Sequence, residues 1–254
     1  MPAFKPNATI TRWETIHEEL AVMRIEPDSQ HVAEFKPGQF AIIGLPADDS
    51  PDAKLVQRAY SIASGSNTLD HLEIFIVLVK EGALTPKVWE IGQGGRLWLS
   101  PKISGNFTLD PVPPGQDLVM ISTGTGLAPF LSMWRTYRGQ NRWRRMILIN
   151  GVRESRDLGY RAMLEAAHKE RDVIYIPVVS REPSFTGLKG RVPVVFEQGN
   201  YERLVGVPLD PKTSHVFLCG NPDMINQMEE WLQGRGFQTH TKQTPGNIHL
   251  ERYW

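Results

Sequence analysis

DLVMISTGTGLAPF, residues 117–130, decides how this chain is to be read. Within it LVMIS, residues 118–122, is a continuous apolar run without polar alternation, the pattern of a strand buried on both faces. A glycine-rich turn follows, and then a helical stretch over 128–137. Strand, glycine turn and helix in that order open a parallel α/β unit. Gly124 and Gly126 stand where such a unit lets a dinucleotide's pyrophosphate approach the backbone and the helix N-terminus. The spacing is not the G-x-G-x-x-G fingerprint, because Pro129 occupies the place of the third glycine. A tight strand-to-helix turn needs glycine for geometry alone, so the motif by itself leaves both readings open.

Downstream the same grammar recurs. RMILIN (145–150) precedes a helix near 158–170, VIYIPVV (173–179) follows, and HVFLC (215–219) precedes a helix over 222–235. Apolar strands alternating with amphipathic helices predict a parallel five-stranded sheet covered on both faces. Upstream the pattern differs: GQFAIIGL, VQRAYSIAS, LEIFIVLV and RLWL are short β-type runs separated by turn clusters, with no long helix. These predict a small antiparallel β-barrel. DPVPPGQD (110–117) reads as the connection, so two domains are expected, 1–112 and 113–254.

Composition narrows the function. Lys plus Arg and Asp plus Glu both total 28, so there is no net field to attract nucleic acid or an anionic membrane. The single cysteine, Cys219, excludes a disulfide framework, an iron–sulfur cluster and a structural zinc site, and it fits a reducing cytoplasm. The N-terminal stretch has no secretory pattern, and the longest aliphatic and aromatic run, IFIVLV (74–79), is too short to span a bilayer. No membrane association is expected, and no metal.

Four further stretches carry chemistry. In RAYS (58–61) strand alternation puts Arg58 and Tyr60 on one face, roughly 7 Å apart. That spacing suits an anionic group beside a flat ring, and equally a cross-strand pair on a solvated sheet face. KEGALTP (80–86) can present backbone N–H groups and the Thr85 hydroxyl to a phosphate if a helix starts there with Pro86 at its first position; it can also be an ordinary capped turn. No acidic residue follows the glycines at the distance used to bind an adenosine ribose. Arg153, Ser180 and Arg181 instead follow the strands and Arg191 lies in LKGR, where a 2′-phosphate would need them; singly, each of the three arginines reads as a surface arginine paired with Glu154, Asp157 or Glu182. In FLCGNPDMI (217–225), Gly220 closes a strand and Asn221-Pro222 begin a helix at the same rim, while Cys219 reads as a small buried filler. The chain ends in Tyr253 and Trp254, either tucked into a core groove or stacked on a flat ligand.

Taken in order, RAYS, GALTP, STGTGLAPF, VSRE, LKGR, LCGNPDM and the terminal ERYW resemble the bacterial ferredoxin (flavodoxin)–NADP reductases of the plant-type fold, in their short form with a C-terminal Tyr-Trp pair. The resemblance covers essentially the whole chain. It implies FAD held by the barrel and NADP by the α/β domain. Arg58 and Ala59 would lie along the flavin pyrophosphate, Tyr60 would stack on the isoalloxazine, and Ser61 would bond near N5. Because alternation turns Ser61 away from Arg58, that last role requires a kink after Tyr60. Phe75, Ile76 and Val77 would line the flavin nucleotide, and Ala83, Leu84 and Thr85 its phosphate turn. Thr123, Tyr253 and Trp254 would sit against the flavin, with a terminal aromatic in the nicotinamide's place.

On the nucleotide side the resemblance places Thr125 and Gly126 at the pyrophosphate, and Val152, Arg153, Ser180, Arg181 and Arg191 around the 2′-phosphate. Gly220, Asn221, Pro222 and Met224 would approach the nicotinamide, and Cys219 and Glu251 the hydride path. The implied activity is hydride exchange between NADPH and FAD N5, then single-electron transfer to or from ferredoxin or flavodoxin docked transiently by charge. A monomer is expected. WRTYRGQNRWRR (134–145) supplies Arg135, Arg138, Arg142, Arg144 and Arg145, either as the docking patch or as a solvated face. Two other functions share these motifs: an NADPH-dependent free-flavin or quinone-type oxidoreductase, and a non-catalytic flavin-binding subunit.

Overall fold

The computed structural model describes residues 5–50 and 52–252. It divides into two compact units. One comprises the chain up to Thr108 together with Leu131–Thr136; the other comprises Leu109–Phe130 and the chain from Tyr137 onward.

The first unit is an antiparallel sheet of six strands, with the order β4-β3-β6-β1-β2-β5. These are β1 (Ala8–His17), β2 (Leu20–Pro27), β3 (Phe40–Pro46), β4 (Leu55–Ser61), β5 (Leu72–Val77) and β6 (Arg96–Leu99), and a helix α1 (Thr85–Ile91) precedes β6. A bridge between Ile62 and Ile74, with Ala63 N–H donating to the Glu73 carbonyl at 2.7 Å, joins the two ends and closes the ring. Inside lie Ile10, Met23, Ile25, Ile43, Ile62, Ile74, Ile76 and Leu97, with Leu84 and Val88 contributed by the segment of α1. Each such buried aliphatic side chain contributes about 1.5–3 kcal/mol relative to exposure.

The hairpin β1–β2 has no counterpart among the strands expected from the sequence. Along β1 only Ala8 and Ile10 are buried, and the outward residues Thr, Arg, Glu and His dilute the apolar pattern. Residues 131–136 bind this unit through polar contacts: Ser132 Oγ donates to the Ser64 carbonyl at 2.7 Å, and Arg135 donates to the Ala63 carbonyl at 2.9 Å and pairs with Glu73.

The second unit is a six-stranded parallel sheet, order β10-β9-β8-β7-β11-β12. Its elements are β7 (Asp117–Thr123), the ends of α2 (Ala128–Tyr137, of which Leu131–Thr136 counts with the first unit), β8 (Arg145–Val152), α3 (Arg161–Lys169), β9 (Ile174–Val179), β10 (Leu188–Lys189), α4 (Asn200–Val205), β11 (Ser214–Gly220), α5 (Pro222–Gln233) and β12 (Ile248–Arg252). The sheet has six strands where five were expected. The four apolar runs named from the sequence are β7, β8, β9 and β11; the other two are the two-residue β10, too short to show a pattern, and β12, whose polar HLER reads as a tail until it pairs with Val216–Gly220 of β11. From β7 the chain winds through β8 and β9 on one side and returns to β11 on the other. The order therefore reverses between β7 and β11, and an open α/β sheet places its ligand crevice at the strand C-termini there.

Candidate functional site

The crevice at that reversal is built by close backbone approach. Gly126 could not carry a side chain, since a Cβ would lie 2.5 Å from the Cys219 carbonyl oxygen at the end of β11. Gly220, at φ +124°, presses equally on Thr123, whose Oγ1 a Cβ would meet at 2.4 Å. The Thr123 hydroxyl accepts from the Asn221 N–H at 2.8 Å, tying the ends of β7 and β11 together. Gly124 has φ +53°, and a Cβ there would meet nothing within 4 Å, so the turn borders open space. Asn221 caps α5, its Oδ1 accepting from the N–H groups of Asp223 at 2.8 Å and Met224 at 3.3 Å, with Pro222 in the first turn.

At the same strand ends, β8 and β9 are joined past their last residues. Ser180 N–H donates to the Val152 carbonyl at 3.0 Å and Arg181 N–H to the Arg153 carbonyl at 2.8 Å. The Ser180 hydroxyl also donates to the Val152 carbonyl, at 3.1 Å. Gly190 N–H donates to the Val179 carbonyl at 2.9 Å, which starts the segment of Arg191 from the end of β9. The three arginines are thus brought to one rim. All are exposed, and none has a salt bridge to a described residue. The expected surface pairing is absent among the described residues: Glu154 pairs with Arg156, and Glu182 accepts from the Ser155 N–H. Val152 is buried in a small cluster with Leu158, Val179 and Phe185, beneath that rim. Met224 is likewise a core residue.

Cys219 is fully buried and Glu251 half-buried, paired across β11 and β12, with Sγ 3.9 Å from the carboxylate Oε2. Sequence reasoning missed a buried polar pair under the glycine turn: Ser122 Oγ donates to Asn150 Oδ1 at 3.0 Å, and Asn150 Nδ2 has no partner among the described residues. A polar residue closing each of the apolar runs LVMIS and RMILIN was the available signal.

In the first unit, β4 presents Arg58 and Ala59 exposed, Tyr60 half-buried and Ser61 buried. Arg58 has no carboxylate partner among the described residues; its Nη1 donates to the Gln57 carbonyl at 2.7 Å. Burial pushes the Tyr60 hydroxyl up to about 12, with Arg58 opposing, so the phenol stays neutral throughout the physiological range. After Ser61, which pairs with Phe40 of β3, the chain passes to its bridge with β5 at Ile62. From Tyr60 to Ser64 exposure no longer alternates. Phe75 and Ile76 are buried and Val77 half-buried in β5.

The helix α1 begins at Thr85, with Leu84 at its N-cap and Pro86 one place later than expected. The Thr85 hydroxyl is committed to the turn itself: it accepts from the Val79 N–H at 2.9 Å and donates to the Val79 carbonyl at 3.1 Å. Leu84 is buried and Ala83 exposed. Tyr253 and Trp254 lie outside the described residues.

Of the five arginines expected in the basic patch, four line one concavity of the second unit. Arg135 is paired with Glu73 in the first unit, whereas Arg138, Arg142, Arg144 and Arg145 belong to the second, at the strand N-termini. Asp117 and Thr123 are the two ends of β7, so Arg144 and Arg145, on Asp117, lie about 20 Å along the strand from the nucleotide turn.

An oxidoreductase NAD-binding domain family matches residues 120–230. The flavodoxin/ferredoxin–NADP reductase of Escherichia coli (strain K12) is 34% identical over 226 residues, 88% of this chain and 89% of that protein. The ferredoxin–NADP reductase of Azotobacter vinelandii is 35% identical over 230 residues, 86% of each. Among solved structures, a ferredoxin NADP+ reductase from Neisseria gonorrhoeae with bound FAD and NADP superposes with a TM-score of 0.87 at 28% identity, covering 97% of both chains.

Proposed function

The chain belongs to the flavodoxin/ferredoxin–NADP reductases, and on that premise we propose that it is an FAD-dependent enzyme exchanging electrons between NADP(H) and a ferredoxin or flavodoxin. The observation that carries this reading is the crevice at the β7/β11 reversal, faced by a glycine turn and flanked by three arginines with no salt bridge to a described residue.

The residues present fit both nucleotides. Open space at Gly124 accommodates a pyrophosphate against the turn of Thr125 and Gly126. Arg153, Arg181 and Arg191, with the Ser180 hydroxyl, supply donors and no acceptor charge, which selects a 2′-phosphate over a bare ribose. Gly220, Asn221 and Pro222 border the nicotinamide end. In the first unit Arg58 is free to hold the FAD pyrophosphate, and the neutral Tyr60 ring offers its face to the isoalloxazine. Ser61, Phe75 and Val77 line the flavin, with Ile76 there only through its backbone because its side chain is in the barrel core, and the backbone of Ala83–Thr85 forms its phosphate turn, with the Thr85 hydroxyl shaping the turn and making no phosphate contact.

When bound, FAD supplies the exchange of an electron pair with the nicotinamide and the release of single electrons. The protein's own part is alignment and charge: Thr123 and Gly220 fix the crevice floor, and the buried Cys219 thiol lies behind it, beside the Glu251 carboxylate. Also proposed are a monomeric cytoplasmic enzyme, transient electrostatic docking of the acidic carrier, and flavin contacts of Tyr253 and Trp254.

The test is an anaerobic titration of the purified yellow protein with NADPH and NADH in parallel, followed by carrier reduction across a salt series. NADPH should bleach the flavin at far lower concentration than NADH, and carrier reduction should fall as salt rises. A colourless protein, or a flavin that NADPH leaves oxidised, overturns the reading. FAD that dialyses away while free flavin or quinone is reduced would move it to the other oxidoreductase class.

A further inference from the structure

The second unit carries a groove at the edge of its sheet where helices end and strands begin, remote from the glycine turn. It is a concavity of about 640 Å³, between the segment that follows α2 and the segment that follows α3. That size falls within the range of small-ligand sites, ~300–1000 Å³. Arg138, Arg142, Arg144, Arg145, Lys169 and Arg171 line it, against a single lining carboxylate, Asp172.

Some of that charge is neutralised. Arg138 lies 3.4 Å from Asp172, and Arg144 and Arg145 share the buried Asp117. Arg142, Lys169 and Arg171 have no salt bridge to a described residue. The Arg142 guanidinium lies 4.6 Å from the centre of the Trp143 ring and 5.4 Å from that of Tyr137, contacts that hold the side chain without cancelling its charge. Trp143 itself is 8% exposed, with its indole N–H buried. Cations at helix C-termini offset the helix dipole, which accounts for Lys169 in the last turn of α3. Arg142 and Arg171 stand beyond the helix ends, Arg171 held at φ +63°, and the dipole does not account for them.

We propose that this groove is a second anion site, which takes a compact phosphate compound bearing several charges, such as a polyphosphate or a phosphorylated metabolite. Arginine forks and a lysine around one concavity match phosphate oxygens, which accept only. The chain has no net charge to draw a long polyanion, so the small ligand is favoured over nucleic acid. The site is independent of the nucleotide crevice and of the identity of the electron carrier.

Calorimetric titration of the FAD-loaded enzyme with sodium tripolyphosphate, with the nucleotide crevice filled by excess NADP+, tests it. One saturable site is expected, weakened about tenfold or more by R142A/R171A. The milder K169Q/R171Q should weaken it less, with flavin absorbance and circular dichroism unchanged in both. R153A/R181A, at the other edge, should leave it within about twofold of wild type, a change too small to represent one lost charged contact. No saturable binding, equal affinity in the R142A/R171A variant, loss of binding in R153A/R181A alone, or tighter binding of a single-stranded oligonucleotide than of tripolyphosphate would each overturn the proposal.

Discussion

Replacing His249 by Phe should abolish much of the acid sensitivity of the second unit. His249 lies on β12, 6% exposed, with its ring stacked 4.2 Å from Phe217 and 5.3 Å from His215, and with His240 at 4.9 Å. Its Nε2 lies 3.0 Å from His215 Nδ1, so at most one of the two shares a proton in that contact. Burial, followed by the two neighbouring imidazoles, pushes His249 down from 6.5 to about 3. A histidine kept neutral in the fold but free to protonate when unfolded makes the unfolded state the stronger proton binder between those values. Stability is therefore full above pH 6.5 and is lost as pH falls toward 3. The loss from this group is on the order of 1 kcal/mol at pH 5.5 and a few kcal/mol at pH 4.5.

His249→Phe retains the stack on Phe217 and removes the titration. Urea unfolding at pH 7.5, 5.5 and 4.5, followed by far-ultraviolet circular dichroism and by tryptophan fluorescence, measures the difference. Between pH 7.5 and 4.5 the variant should lose about 2–3 kcal/mol less than wild type. It should do so whatever its stability at neutral pH, because the comparison is of slopes. Parallel pH profiles for the two proteins would refute the argument that this imidazole is held neutral by the fold.

Gly126→Ala puts a methyl group 2.5 Å from the Cys219 carbonyl; thermal denaturation should show a loss of about 1–3 kcal/mol, and NADP+ affinity should fall with it. Asp117→Asn strips the buried carboxylate that accepts from Arg144 at 2.6 and 2.8 Å, and should cost about 2–3 kcal/mol in urea, below the value for a fully dry pair because both arginines remain hydrated. Arg181→Ala should raise the KM for NADPH about tenfold or more while leaving the NADH reaction nearly unchanged; an equal effect on both would remove Arg181 from the 2′-phosphate. Tyr60→Phe should retain FAD, since the ring and not the neutral hydroxyl makes the stack, whereas Tyr60→Ala should release it on dialysis, read by flavin absorbance.

Much of this protein was legible in its residues. The unbroken apolar runs LVMIS, RMILIN and HVFLC admit little but buried parallel strands, and the change to short separated β runs before residue 110 marks a different architecture. The ordered set of motifs carried the family, since no single one of them is specific. Less visible were β1, whose outward residues are polar, and β12, whose identity as a strand depends on a partner 32 positions away at Cys219 and Glu251. Thr85 shows the same limit at the level of one side chain: its type permits a phosphate contact, and only the turn geometry reveals that its hydroxyl is spent on Val79.

By itself, then, the sequence determined the two architectures, the glycine turn and the residue types of the nucleotide sites, because burial pattern and local spacing are encoded along the chain. The tertiary structure alone decided which charges are free. Six cations share one groove with Asp172, while Asp117 neutralises two of them and no described carboxylate reaches Arg153, Arg181 or Arg191. Pairing of charges depends on distances between residues far apart in the chain, and those distances are set by strand order and register.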